Sequence, residues 1–152
     1  MSAELTQILD VDDCWDHLRS TTVGRLAVLV EEGPEIFPIN YAIEHSALMI
    51  RTGDGTKVDA IRANPRVAFE IDGLDAETDT AWSVVVKGTA KEVTAPEDLQ
   101  ETISVDVAPW QSGTKNHFIR ILAEEVTGRR FQVTEPSTWE SPFSQVSPAP
   151  RE

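Results

Sequence analysis

The sequence predicts an α+β barrel, in which an antiparallel sheet carries a few short helices at its ends or edges. Six runs rich in Val, Ile, Phe and Trp are separated by turn residues, and the connections between the first three are too short for parallel crossovers. Only three short segments have helical character. The 152 residues, 40% of them hydrophobic, are enough for one domain with a hydrophobic core.

The six predicted strands alternate with clear turn signals, such as Glu31-Glu32-Gly33-Pro34 and His45-Ser46. They cover residues 23–30, 35–44, 47–52, 66–72, 81–94 and 117–133. The predicted helices cover residues 9–20, 56–64 and 96–105. Asp10 is the expected cap of the first helix, Pro65 ends the second, and Pro96 begins the third.

The chain divides into a folded domain, residues 1–133, and a tail, residues 134–152, whose Pro/Ser-rich composition predicts disorder or loose docking. The 13 Lys and Arg residues against 26 Asp and Glu residues give a net charge of -13, which disfavours nucleic acid as a partner. No apolar run is long enough to span a membrane. The single cysteine and the absence of a signal peptide predict a cytoplasmic protein.

The most informative segment, residues 50–63, combines the end of a strand, a glycine turn and the start of a helix. Arg51, Lys57 and the free N–H groups of a helix N-terminus are expected to converge on one point, which we call the anion cup. A phosphate group suits this cup. The spacing of Gly53 and Gly55 does not match the loop of phosphate-binding NTPases, so nucleotide hydrolysis is not expected.

Other candidate ligand contacts lie in the strands that flank this segment. Asn40 in an apolar strand could bind either a backbone group or a heteroaromatic ligand, and Pro38 marks an edge, a bulge or a ligand-facing position. Trp82 and Trp110 could belong to the core or stack on a flat cofactor. The three histidines are dispersed and no metal-ligand cluster or nucleophile motif is present, so any reactive atoms are expected to belong to a cofactor.

Six short motifs, in order, resemble the FMN-binding split-barrel proteins related to pyridoxamine 5'-phosphate oxidase, especially small actinobacterial flavoproteins. The motifs are Thr21-Thr22-Val23-Gly24-Arg25-Leu26-Ala27, Phe37-Pro38-Ile39-Asn40-Tyr41, Arg51-Thr52-Gly53-Asp54-Gly55-Thr56-Lys57, Asn64-Pro65-Arg66-Val67-Ala68-Phe69-Glu70, Trp82-Ser83-Val84-Val85-Val86-Lys87-Gly88 and Val126-Thr127-Gly128-Arg129-Arg130-Phe131. The resemblance covers roughly residues 9–133 and implies a six-stranded antiparallel split barrel that forms a homodimer.

The resemblance also implies FMN in a groove between the two subunits. Arg51 and Lys57 would hold its phosphate, with Thr52 and Thr56 as further donors. The ring would be bordered by residues from two strands and a loop of the partner chain: Pro38, Ile39, Asn40, Trp82, Ser83 and Trp110.

The implied activity is an FMN-dependent oxidoreductase that reduces a small acceptor. The segment Gly128-Arg129-Arg130-Phe131 has no histidine where pyridoxal-phosphate-forming members carry one, so that reaction is not expected. Two alternatives stay open. One is a reductase that uses the 8-hydroxy-deazaflavin coenzyme, with Arg62, Arg66, Arg129 and Arg130 as candidate contacts to its acidic tail. The other is a non-enzymatic flavin or haem-binding protein.

Overall fold

The structure, a computed structural model, describes residues 6–93 and 117–133. Two helices and eight strands form in these ranges. In chain order they are β1 (Thr6–Leu9), α1 (Val11–Ser20), β2 (Val23–Val30), β3 (Gly33–Asn40), β4 (Ala42–Glu44), β5 (Ala47–Thr52), α2 (Thr56–Ala63), β6 (Arg66–Asp75), β7 (Thr80–Val93) and β8 (His117–Gln132).

All strand pairs in the described ranges are antiparallel, and the sheet order is β3-β2-β6-β7-β8-β5-β4, with β1 added beside β8. The two outermost strands of this order, β3 and β4, are separated in the chain by Tyr41 alone. The sheet must therefore curl back on itself, which gives a half-barrel. The α+β class and the antiparallel sheet predicted from the sequence are confirmed.

The predicted count of six strands is wrong, because the described ranges contain eight. Residues 35–44 were predicted as one strand, but the chain changes partner at Tyr41: β3 pairs with β2, whereas β4 pairs with β5. The Tyr41 amide donates to the carbonyl of Thr22 at 3.0 Å, and its hydroxyl donates to the carbonyl of Leu18 at 2.6 Å. The sequence analysis also did not predict β1, which forms through long-range pairing with β8.

The hydrophobic core fills the inside of the curled sheet. Alternate residues of β2, β6, β7 and β8 point inward, as the period of two in a strand requires. The largest of the fully buried side chains is Phe69, whose ring meets Tyr41 edge-on at 4.8 Å between centroids. Gly24 leaves room for this ring, because a Cβ there would lie 2.3 Å from the Phe69 Cζ atom.

Helix α2 begins at the predicted residue, whereas α1 begins at Val11, two residues later than predicted, because Leu9 belongs to β1. Asp10 caps α1 by accepting a hydrogen bond from the Asp13 amide at 2.8 Å, and Cys14 and Leu18 are the residues of α1 that are buried. Helix α2 starts at Thr56 after Gly55, whose φ of 148° is a backbone conformation that strongly favours glycine. In the described ranges, no helix has the length and apolar character needed to cross a membrane.

Three predictions fall outside the described residues. They are the helix at residues 96–105, the ring contact at Trp110 and the tail at residues 134–152.

Candidate functional site

The segment predicted to form the anion cup lies where β5 ends and α2 begins. Arg51 lies near the end of β5, the chain turns through Gly53 and Gly55, and Lys57 lies in the first turn of α2. The N-cap residue of α2 is Gly55, which has no side chain that could accept hydrogen bonds from the first amide N–H groups of the helix. Cations and amide donors on one short segment suit a phosphate group.

Each cup cation rests on an aromatic ring. The Lys57 Nζ atom is 4.7 Å from the centroid of the Phe37 ring, and the Arg51 Cζ atom is 5.6 Å from the centroid of the Phe118 ring. Such contacts help to hold a flexible cation in place. Phe37 belongs to β3, so the Lys57 contact also brings the cup next to the strand that carries Pro38, Ile39 and Asn40.

The hydroxyls predicted to assist the cup differ in their surroundings. Thr52 is buried, with 5% of its surface exposed, and its hydroxyl donates a long hydrogen bond to the carbonyl of Gly53 at 3.5 Å. Thr56 is exposed at the first position of α2. Thr56 can therefore reach a ligand above the helix N-terminus, whereas Thr52 mainly shapes the turn.

The predicted ring contacts lie on both faces of the sheet. Ile39 belongs to the core cluster, and Trp82 packs against it, while Pro38 is exposed. Because side chains alternate along a strand, Pro38, Asn40 and Ser83 face outward. The ring of Trp82 already stacks on His17 of α1, with centroids 3.9 Å apart and planes at 21°.

Trp82 and Ser83 lie far from the cup of the same chain. Glu92 lies near the cup end of β7, and ten residues of bulged strand, at most about 33 Å, separate it from Trp82. The structure thus brings the cup and β3 together and leaves Trp82 and Ser83 at the opposite end of β7. Trp82 and Ser83 remain predictions as ligand contacts.

The sequence analysis missed a hydrogen-bonded network beside the cup, which we call the His117 network: Asp54, Arg62, Glu92 and His117. His117 contacts Glu92 through Nδ1 and Asp54 through Nε2, each at 2.5 Å. Arg62 donates to both Glu92 oxygens, at 3.0 and 3.2 Å. The hydrogen bonds to Glu92 and Asp54 raise the pKa of His117, and the hydrogen bond from His117 lowers the pKa of Glu92.

A second missed cluster lies on the outer face of the sheet. Arg25 donates to Glu70 at 2.6 and 2.9 Å and to Asp72 at 2.7 Å, so one guanidinium joins two carboxylates on β6. Burial raises the pKa of Glu70 despite the opposing effect of Arg25. The parity of these strands could have suggested this cluster, since residues 70 and 72 share a face.

Burial shifts the pKa values of Cys14 and His17, the other two side chains considered as reactive groups. Burial raises the pKa of the Cys14 thiol and thus disfavours its reactive thiolate. Burial, followed by the nearby charge of Arg130, lowers the pKa of His17. Within residues 6–93 and 117–133, no three His, Cys, Asp or Glu side chains are arranged to hold a metal ion.

The curled antiparallel half-barrel with two helices is consistent with the class of split-barrel proteins. The family model described as pyridoxamine 5'-phosphate oxidase matches residues 10–130. The chain belongs to this family, which confirms the resemblance inferred from the six motifs.

Three relatives illustrate this membership. A candidate pyridoxamine 5'-phosphate oxidase from Corynebacterium glutamicum is 32% identical with a TM-score of 0.76, covering 84% of this chain and 99% of that one. An FAD-binding protein from Mycobacterium smegmatis is 36% identical with a TM-score of 0.69, covering 83% and 98%. The uncharacterized protein Rv0080 from Mycobacterium tuberculosis is 34% identical over 127 residues, covering 80% and 83%.

Proposed function

We propose that this protein binds FMN and uses it as an oxidoreductase that reduces a small acceptor. The observation that carries the proposal is the segment on which Arg51 at the end of β5 and Lys57 in the first turn of α2 flank a glycine turn, with Lys57 over Phe37 of β3. Family membership and the FAD-binding relative from Mycobacterium smegmatis support a flavin as the ligand. FMN offers a terminal phosphate of the size and charge that the cup suits.

The proposed contacts assign each predicted residue to one part of the ligand. Arg51 and Lys57 hold the phosphate, and Thr52 and Thr56 support it through the turn and the helix start. The strand beside the cup borders the flavin ring. Further contacts come from the distant end of β7 and from the loop of a partner subunit. The ring contacts are Pro38, Ile39, Asn40, Trp82, Ser83 and Trp110.

A bound flavin would supply the redox chemistry, accepting hydride from a donor and passing electrons to the acceptor. The chain's role in this proposal is to bind and orient. Two histidines already have contacts within the chain: His117 with two carboxylates and His17 with the ring of Trp82. Neither is assigned a step of proton transfer in this proposal.

Turnover with reduced nicotinamide tests the oxidoreductase proposal. Oxidation of the nicotinamide should depend on FMN and on a quinone or nitro acceptor. A protein that binds FMN but shows no turnover with any donor and acceptor would instead be a flavin-binding protein without enzymatic activity.

The deazaflavin alternative needs a basic groove that continues from the cup. Arg62 is engaged by Glu92, and Arg129 lies twelve residues along β8 from His117, about 40 Å of extended strand. The engagement of Arg62 and the position of Arg129 along β8 support FMN, which needs only the cup, over the deazaflavin coenzyme. Parallel titrations with FMN, FAD, the deazaflavin coenzyme and haem test this order, and tighter binding of any other ligand would replace FMN in the proposal.

The homodimer is part of the same proposal and fits the outer face of the sheet. Shallow cavities of about 420 and 300 Å³ lie there, lined largely by apolar residues of β2, β3, β6 and β7. Ile36 is 68% exposed and Leu29 43% exposed on this face. Exposed apolar residues beside the Arg25 ion pairs suit a two-fold interface with a second copy of the chain.

Ile36→Glu is expected to convert the dimer to monomer, because it places a charge within this apolar face. Analytical ultracentrifugation at fixed protein concentration measures the change. Ile8→Glu is the matched control, since Ile8 is 85% exposed on β1, at a different edge of the sheet. A monomeric unmodified protein, or dimers in both variants, would contradict this placement of the interface.

A further inference from the structure

His117 connects the loop of the anion cup to the sheet. It is the first residue of β8 and lies opposite Thr52 in the strand register. Its Nε2 atom contacts Asp54 in the turn between β5 and α2, and its Nδ1 atom contacts Glu92 near the end of β7. The side chains of His117 and Glu92 are only 16% and 19% exposed, so this connection is anchored on its sheet side.

The geometry defines the protonation state of the imidazole ring. An ionised carboxylate can only accept hydrogen bonds, and a neutral imidazole has one donor nitrogen. Both ring nitrogens face a carboxylate oxygen at 2.5 Å, and the doubly protonated ring is the form that donates to two ionised carboxylates at once. The network therefore holds His117 as an imidazolium cation.

The positive charge of the His117 imidazolium affects the binding of an anionic ligand, because it balances the negative charges around the ring. The described charged groups that face it are the carboxylates of Asp54 and Glu92, and Arg62 is bound to Glu92. With His117 protonated these four groups sum to zero, and without its proton they sum to one negative charge. Arg51 and Lys57 lie on the adjoining cup segment, where an uncompensated negative charge opposes phosphate binding.

We propose that His117 is a positioning residue of the phosphate site: its imidazolium form fixes the cup loop through Asp54 and keeps the neighbouring charge neutral. This inference rests on the proposed function, since it concerns how the same cup holds the phosphate of FMN. It adds a property that the cup residues alone do not give, namely weaker binding of a phosphorylated flavin at alkaline pH.

The direction of the pH effect follows from the hydrogen bonds. They raise the pKa of His117 above its ordinary value of 6.5, so the cation persists to higher pH than that of a free histidine and is lost as the pH rises further. The stability that the network contributes is fully present below the unfolded-state value and disappears as pH rises through the raised value. FMN affinity should fall over the same pH range.

The test measures FMN and riboflavin affinity from about pH 7 to about pH 9, where the FMN phosphate is already a dianion. FMN binding by the unmodified protein should weaken by about tenfold, the change produced by about 1.4 kcal/mol of lost attraction. Riboflavin, which has no phosphate, should show no such trend. A flat FMN profile, or the same trend for both ligands, overturns the proposal.

Two variants and one control separate positioning from folding. His117→Asn should bind FMN weakly with a flat pH profile, while His45→Asn should keep the profile of the unmodified protein. His45 is exposed and has a φ of 55°, which asparagine tolerates. Asp54→Ala alters a side chain that is 89% exposed, and it should move the midpoint of the FMN profile to lower pH. An unmoved midpoint contradicts the role of Asp54.

NMR titration of the imidazole signals of the ligand-free protein tests the His117 network separately from the proposed binding of FMN. A raised midpoint for His117, with both ring N–H groups protonated at neutral pH, supports the network. A His117 midpoint at or below its ordinary value overturns it, whatever the ligand results. Absence of FMN binding at every pH overturns the proposed function, and with it the positioning role.

Discussion

Replacing both Arg51 and Lys57 by alanine is expected to weaken FMN binding by about 3 to 5 kcal/mol, a loss of at least two orders of magnitude in affinity. Each cation would supply a charge-assisted hydrogen bond to the phosphate, worth about 1.5 to 3 kcal/mol. The double loss is smaller than a strict sum allows, because the two groups act on one phosphate. Isothermal titration calorimetry with FMN at constant ionic strength measures it.

Riboflavin and one further variant provide the controls for the cup. Riboflavin has no phosphate, so its affinity should be the same for the unmodified protein and the double variant. Arg19→Ala removes one exposed positive charge from α1, away from the cup, and should leave FMN affinity unchanged. Equal losses for FMN and riboflavin would show that Arg51 and Lys57 act on the fold or the ring pocket and not on the phosphate.

Phe69→Ala is expected to lower the free energy of unfolding by about 3 to 5 kcal/mol. Phe69 is 1% exposed, its ring meets Tyr41 edge-on, and it fills the space that Gly24 leaves open. Truncation removes this buried area and leaves a cavity that the curled sheet closes only in part. Chemical denaturation at fixed protein concentration measures the change, since dimer formation makes stability concentration-dependent.

Leu74→Ala is the matched control for the core prediction. Leu74 lies on the same strand as Phe69 but is 65% exposed, so its truncation should change stability by no more than about 0.5 kcal/mol. A loss at Phe69 as small as that at Leu74 would contradict the assignment of Phe69 to the centre of the core. A large loss at both positions would show that the outer face of β6 is also buried in the protein's assembled state.

The parts of the fold that depend on local sequence are predictable. Strands β2 and β5 and the start of α2 match their predicted positions, because hydrophobic alternation, turn residues and helix-start signals act over a few residues. The division between β3 and β4 is different. The run through Tyr41 is continuous in hydrophobicity, and only the change of pairing partner in three dimensions separates the two strands.

The same distinction applies to the candidate site. The strand-turn-helix unit that carries Arg51 and Lys57 is predictable because its signals lie within a few residues of one another. The His117 network is not, because the hydrogen bonds of His117 reach 25 residues back to Glu92 and 63 residues back to Asp54. In the sequence alone, nothing distinguishes Asp54, Glu92 or His117 from charged residues on a protein surface. Only the pairing of β5 with β8 brings His117 to the cup loop.

Titration of the unmodified protein with FMN, followed by the visible absorption spectrum of the flavin, tests the central proposal most directly. We expect a saturable change in the flavin bands that ends at one FMN per chain, with riboflavin bound more weakly because it cannot fill the cup. A flavin spectrum that stays unchanged at all protein concentrations would contradict the proposal that this chain is a flavin-binding protein.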